Sequence, residues 1–135
     1  MNHAVLDTSA FVDAIALPEG IGRNVRHHIE QFSQWFVPEG FELEVAHALR
    51  GITLRGVLNW KEYGVHVNKL PALPVTRVPA GILLDRVAAL GQTIGAYDAA
   101  FVALAELLDV PLLTTDARLT RASGPRCEVL LVGAN

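Results

Sequence analysis

The sequence predicts an α/β fold, an α/β/α sandwich around a mainly parallel central sheet. Three observations lead there. Short apolar runs alternate with longer stretches of helical periodicity, the pattern of strands interleaved with helices. Two of the short runs, Ala4-Val5-Leu6 and Val110-Pro111-Leu112-Leu113, lead into aspartates, Asp7 and Asp116. The 135 residues, 51% hydrophobic and 19% charged, fit one domain over 1–135 with one core.

The elements follow in order. Residues 4–6 form a first strand. Thr8 or Ser9 caps a helix running to about Leu17, ended by Pro18-Glu19-Gly20. Ile21, Val25, Ile29 and Phe32 recur at helical spacing and give a second helix. Trp35-Phe36-Val37 is a brief second strand, and Pro38 suits the start of a helix reaching about Arg50. Residues 53–70 are helical, with Leu54, Val57, Leu58 and Trp60 turned inward, and Gly51 and Gly56 interrupt helices. Residues 73–78 form a strand that Pro74 pushes to a sheet edge. Ile82, Leu83, Val87 and Leu90 make an amphipathic helix stopped near Gly91. Residues 97–108 are apolar nearly all round and predict a buried helix. Residues 112–115 and 128–132 are the last two strands.

Composition excludes several classes. A single cysteine, Cys127, rules out an internal disulfide and fits a reducing compartment. No apolar stretch is long enough to span a membrane, and the N-terminus lacks the basic start and apolar core of a signal peptide, so a cytoplasmic protein is expected. The formal net charge is −3, so nucleic-acid binding by bulk charge is not expected. A local patch of Arg23, Arg26, Arg50, Arg55, Lys61 and Arg118 together with a bridging cation would be needed, and the same residues also suit solvated helix faces. Only His27-His28 cluster among five histidines, and neighbouring helix residues do not converge on one zinc ion. No P-loop or dinucleotide glycine pattern is present, and Cys127 has no nucleophile's setting.

Four acids stand where packing does not ask for them: Asp7, Glu44, Asp98 and Asp116. Asp7 and Asp116 lie at strand carboxyl ends, where sites form in parallel sheets. Glu44 shares a helix face with Phe41, Val45 and Ala48, at a cost unless it is paired or bound to a cation; Glu42 faces the other way, to solvent. Asp98 sits in the first turn of its helix, where the dipole alone favours an acid. Asp7 and Asp116 suit helix caps or turns equally, and Arg50 is an alternative partner for Glu44. Gathered together, four carboxylates repel, and a hard divalent cation with oxygen ligands is the usual remedy. Magnesium or manganese, and phosphodiester hydrolysis, are the expected chemistry.

These residues carry a resemblance that covers nearly the whole chain. Ala4-Val5-Leu6-Asp7-Thr8-Ser9-Ala10, Pro38 six residues before Glu44-Val45-Ala46-His47-Ala48-Leu49-Arg50, Tyr97-Asp98-Ala99-Ala100-Phe101-Val102-Ala103-Leu104-Ala105, and Leu113-Thr114-Thr115-Asp116-Ala117-Arg118-Leu119 together resemble the PIN domain, specifically the VapC-type toxins of toxin–antitoxin pairs. The resemblance implies a flavodoxin-like sandwich and a metal-dependent endoribonuclease. Asp7, Glu44, Asp98 and Asp116 would hold one or two Mg²⁺ or Mn²⁺ ions, and Thr8, Ser9 and Thr114 would orient carboxylates or water. It also implies an RNA substrate, a cognate antitoxin and a homodimer, with no membrane role. His47 departs from the family, where a small polar residue such as asparagine is common, and reads as a hydrogen-bonded helix residue rather than a ligand. Trp60, Tyr63, Lys61 and Arg55 are candidates for stacking on single-stranded RNA, Trp60 equally for the core. An RNA-processing nuclease without an antitoxin, and an inert binding module of the same fold, are the alternatives; the complete set of acids argues against the latter.

Overall fold

The structure, a computed structural model, describes residues 2–17 and 19–133. Five strands form one sheet: β1 (His3–Leu6), β2 (Gln34–Pro38), β3 (Val75–Val78), β4 (Leu112–Thr114) and β5 (Val129–Leu131). Their order is β3-β2-β1-β4-β5, and every pairing is parallel. The helices are α1 (Thr8–Ala16), α2 (Glu19–Ile29), α3 (Phe41–Leu54), α4 (Trp60–Lys69), α5 (Leu84–Leu90), α6 (Ala96–Leu108) and α7 (Ala117–Arg121). Among the described residues none of them is long and apolar enough to cross a membrane.

The chain steps one way from β1 to β3, then crosses back to β4 on the far side of β1. Right-handed crossovers therefore put the helices between β1 and β3 on one face and α5 and α6 on the other. The packing agrees: α1 lies against α2 and α3, α3 against α4, and α5 against α6. The reversal leaves a crevice beyond the carboxyl ends of β1 and β4, the place where open parallel sheets build sites. Val5 and Leu6 pair with Leu112 and Leu113, and the Asp7 amide donates to the Leu113 carbonyl at 3.0 Å. That register delivers Asp7 and Thr114 to the same edge. Ala4, Val5, Leu6, Leu112 and Leu113 are buried, as central parallel strands require.

Several local expectations are corrected. Pro38 does not open a helix. It is the last residue of β2 and pairs with Val78. Pairing with β1 has already stopped at Phe36, so the missing N–H costs no bond on that side. α3 starts instead at Phe41, after Gly40 at φ 97°, a left-handed turn that glycine takes without strain. α3 runs through Gly51 to Leu54, so only Gly56, at φ 85°, interrupts. A fresh helix begins at Trp60, because Asn59 and Glu62 close a capping box: the Glu62 amide donates to Asn59 Oδ1 at 2.8 Å and the Asn59 amide to Glu62 Oε1 at 2.9 Å. Of the four side chains expected to turn inward there, only Leu58 is buried; Leu54, Val57 and Trp60 are exposed. α2 stops at Ile29, before Phe32, and starts at Glu19, so Glu19 and Gly20 are helical. Pro18 lies outside the described residues. Residues 80–83 form a 3₁₀ turn ahead of α5. α6 buries Ala99 and residues 101–105 but leaves Tyr97 and Leu107 exposed. Glu42, expected to be solvated, pairs with Arg77. Cys127 lies ahead of β5 rather than within it, packed against the core. Edge placement of the strand after Pro74 is as expected, with β3 outermost.

Below the crevice the core is aromatic. Phe41 meets Phe11 edge-on with centroids 5.6 Å apart, and Phe101 at 6.4 Å. This joins α1, α3 and α6, the three helices whose first turns carry or follow the acids. Phe41→Ala is expected to cost roughly 3–5 kcal/mol of stability, read as a lowered urea midpoint.

Candidate active site

Asp7 follows β1 and stands at the N-cap position of α1, yet its side chain makes no capping bond. It is 3% exposed, and its Oδ2 accepts from Ser9 Oγ and from Thr114 Oγ1, both at 2.7 Å. The capping explanation of Asp7 therefore falls away. Thr114 Oγ1 also accepts from the Asp116 amide at 3.0 Å, and Ser9 Oγ from the Thr115 amide at 3.1 Å. Two hydroxyls thus lock Asp7 to the end of β4. Ser9 and Thr114 both donate to the same Asp7 oxygen.

Glu44 comes from the first turn of α3 and Asp98 from the first turn of α6. Burial is the main reason that Asp7, Glu44 and Asp98 all have pKa values above the ordinary carboxylate range. In Asp7 the Ser9 and Thr114 hydroxyls oppose that rise and the charge of Asp98 adds to it. In Glu44 a nearby Thr8 hydroxyl opposes it, and the charges of Asp7 and Asp98 add to it. In Asp98 the added push comes from Asp116. The four acids expected from the sequence are therefore neighbours in one electrostatic group. Arg50 plays no part in holding Glu44.

Asp116 differs. Arg118 grips it with two guanidinium bonds, Nε at 3.1 Å and the terminal nitrogen at 2.7 Å, and the Arg118 amide caps it at 2.9 Å. The Arg118 hydrogen bond is the main reason its pKa lies below the ordinary range. Asp116 is thus a true N-cap, of α7, as well as a member of the group. Arg118 serves this acid rather than a basic patch. Arg23 pairs with Glu19, and Arg26 donates to the Ala14 carbonyl at 2.6 Å. Among the described residues Arg50, Arg55 and Lys61 form no ion pair.

Among the described residues no three His, Cys, Asp or Glu side chains converge closely enough to hold a metal ion as they stand. Asp116 is turned onto Arg118, and the other three stand apart as repelling charges. Their chemistry still suits a hard divalent cation. Every donor is an oxygen, three acids carry raised pKa values that a positive charge would relieve, and Thr8 Oγ1 is buried without a hydrogen-bond partner. Asp13, a further half-buried acid that the sequence reading passed over, is raised by burial and opposed by a Thr115 hydroxyl, outside the group. The sequence reading placed Tyr97 in a buried helix and gave it no site role, yet it is 77% exposed beside Asp98. A tyrosine just ahead of an acid was the available signal.

A carboxylate whose pKa is raised by folding contributes stability that is complete below its unfolded pKa and is lost as pH rises through the folded one. Without added metal, Asp7, Glu44 and Asp98 take stability away as pH rises from the acid range toward neutral, against the opposite contributions of Asp116 and Glu106, whose pKa values lie below the ordinary range. Asp7→Asn should be more urea-resistant than the parent near neutral pH, with the difference vanishing at acid pH, where Asp7 is itself protonated. A parent and variant with the same midpoint at neutral pH would contradict this.

The chain matches the PIN domain over residues 4–125. It is 37% identical over 133 residues to ribonuclease VapC1 of Mycobacterium tuberculosis, covering 98% of this chain and 99% of that protein. It is 36% identical over 131 residues to ribonuclease VapC12 of the same organism, covering 95% and 98%. Among solved structures, a toxin–antitoxin complex from Klebsiella pneumoniae superposes with a TM-score of 0.67 at 18% identity, covering 94% of this chain and 95% of that one. Mycobacterium tuberculosis VapC20, a sarcin-ricin-loop-cleaving toxin, superposes with a TM-score of 0.66 at 10% identity, covering 87% and 93%. With its parallel sheet, its crevice at the strand-order reversal and these relatives along nearly its full length, the chain belongs to the PIN domain family.

Proposed function

We propose that this protein is a divalent-metal-dependent endoribonuclease that acts as the toxin of a toxin–antitoxin pair. One observation carries the reading: Asp7, Glu44 and Asp98 form a single electrostatic group, all with raised pKa values, in a PIN domain whose relatives at 36–37% identity are named ribonucleases.

Asp7, Glu44 and Asp98, with Asp116 beside them, are the residues assigned to hold one or two Mg²⁺ or Mn²⁺ ions. Held there, such an ion would supply activation of a water and neutralisation of charge on the phosphate. The chain's own contribution is placement. Ser9 and Thr114 fix Asp7 through Oδ2, which prevents its rotation. Thr8 stands beside Glu44 and favours its ionised form. Arg118 keeps Asp116 charged and limits its repulsion on Asp98. No side chain is required as a nucleophile.

The partners are an RNA substrate and a cognate antitoxin, and the assembly is a homodimer acting in the cytoplasm. Support for an antitoxin comes from the solved neighbours, which include a toxin–antitoxin complex of the same fold. An arginine of the antitoxin, whose planar fork matches paired carboxylates, would fit the acidic crevice.

The test is cleavage of a total RNA pool with Mg²⁺ or Mn²⁺, with and without chelator, and mapping of the cut ends. Chelator should abolish cutting, and Asp7→Asn, Glu44→Gln and Asp98→Asn should each lower it more than roughly 100-fold. Full activity in chelator would overturn metal dependence, and expression that leaves growth unaffected would overturn the toxin assignment. Thr114→Val removes one of the two bonds that orient Asp7 and should lower activity or metal affinity by roughly 10- to 100-fold, while the carboxylate set stays complete.

A further inference from the structure

A cavity of about 550 Å³ opens beside the acids, bounded by Gly40, Leu43, Glu44, His47 and Tyr97, and its lining is mostly apolar. Its size suits a small-molecule or nucleotide fragment. Leu43 is 80% exposed and Tyr97 77%, so neither serves the core. His47, one turn beyond Glu44, is exposed too. No atom lies within 4 Å of where a Gly40 side chain would begin, so that side of the cavity stays open. Glu44 belongs both to this cavity and to the acid group.

We propose that this cavity is a base-binding subsite, in which the nucleobase adjoining the phosphate held at the acids stacks on Tyr97 against Leu43 and His47. The inference rests on the ribonuclease reading and names where that enzyme takes hold of its substrate. Single-stranded RNA presents splayed bases that aromatic and imidazole faces accept. A base in this cavity is joined through one sugar to a phosphate near Glu44, so the two subsites are filled by one nucleotide. An apolar side chain from a protein partner fits less well, because it would cover the Glu44 carboxylate and offer it no donor. A base brings ring or exocyclic N–H groups. The subsite selects a stacked base rather than one base identity, since its walls carry few fixed polar groups. Trp60 and Tyr63, which face each other at 5.3 Å on α4, line no part of this cavity.

The experiment uses end-labelled single-stranded RNA oligonucleotides of one sequence, intact or with a single abasic position scanned along the chain, in Mn²⁺. The proteins are wild type, Tyr97→Ala, Tyr97→Phe and Leu43→Ala, with urea midpoints to confirm the fold. KM and kcat are read where the RNA is cut, and Kd by anisotropy where it is not. Tyr97→Ala should raise KM or Kd roughly 5- to 140-fold, the range expected for losing one base stack, with kcat changed far less. Tyr97→Phe should behave as wild type, and Leu43→Ala should lie between. One abasic position next to the cut should weaken wild type by the same factor and Tyr97→Ala no further. Cutting by Tyr97→Ala with unchanged KM removes the subsite and leaves the ribonuclease reading intact. If that variant instead changes only the sedimentation of the protein, the face is a contact between protein chains. Binding through Tyr97 without cutting keeps the subsite and removes the ribonuclease reading. Wild type that neither cuts nor binds removes both.

Discussion

The constraint on which this molecule turns is the repulsion among carboxylates gathered at the carboxyl ends of β1 and β4. Burial and like charge act in the same direction on Asp7, Glu44 and Asp98, holding all three above the ordinary carboxylate range. A fold that gathers them must oppose that repulsion with interactions that do not yield. The parallel pairing of β1 with β4 does so, as does the pair of hydroxyl bonds from Ser9 and Thr114 to one oxygen of Asp7. Beneath them the edge-on contacts of Phe11, Phe41 and Phe101 tie together the helices that carry or follow the acids. The acidic edge is thus a mutually repelling surface laid on a close-packed base.

The acids come from four different elements, and topology is what joins them. Because the chain reverses direction in the sheet between β3 and β4, the ends of β1 and β4 stand side by side although more than a hundred residues separate them. α3 and α6 begin at the same rim, so their first turns aim Glu44 and Asp98 toward that edge. Helix N-termini carry partial positive charge, which eases the repulsion a little. Arg118 eases it further at Asp116, the one acid of the group held below the ordinary range. The arrangement is therefore graded: one acid neutralised from within the chain, three left under electrostatic load.

The surface next to that edge is chemically mixed. A net charge of −3 gives no bulk attraction for phosphate, so affinity for a polyanion has to be local. Arg50, Arg55 and Lys61 lie exposed on or between α3 and α4, while Leu43 and Tyr97 flank the acids themselves. Exposed apolar and aromatic side chains thus stand directly beside carboxylates at this edge.

The sequence alone determined the class of fold and singled out the four acids as candidates. Strands and helices announce themselves through local periodicity, and an acid placed against a hydrophobic pattern stands out because burial of charge is costly. It also contained the hydroxyls that hold Asp7. Local signals misled where one residue satisfies two rules. Pro38 suits a helix start and equally a strand's last residue, and only the point at which β1 stops pairing decides between them. Leu54, Val57 and Trp60 keep helical spacing, yet Gly56 and the Asn59–Glu62 capping box end one helix and start another at a new angle, so their faces turn outward. Tertiary structure decided what each acid does with its charge. Whether Asp7 caps a helix or accepts two hydroxyls, and whether Arg118 meets RNA or Asp116, depends on distances between segments far apart in the chain, and Coulomb and hydrogen-bond energies are set by those distances rather than by order along the sequence.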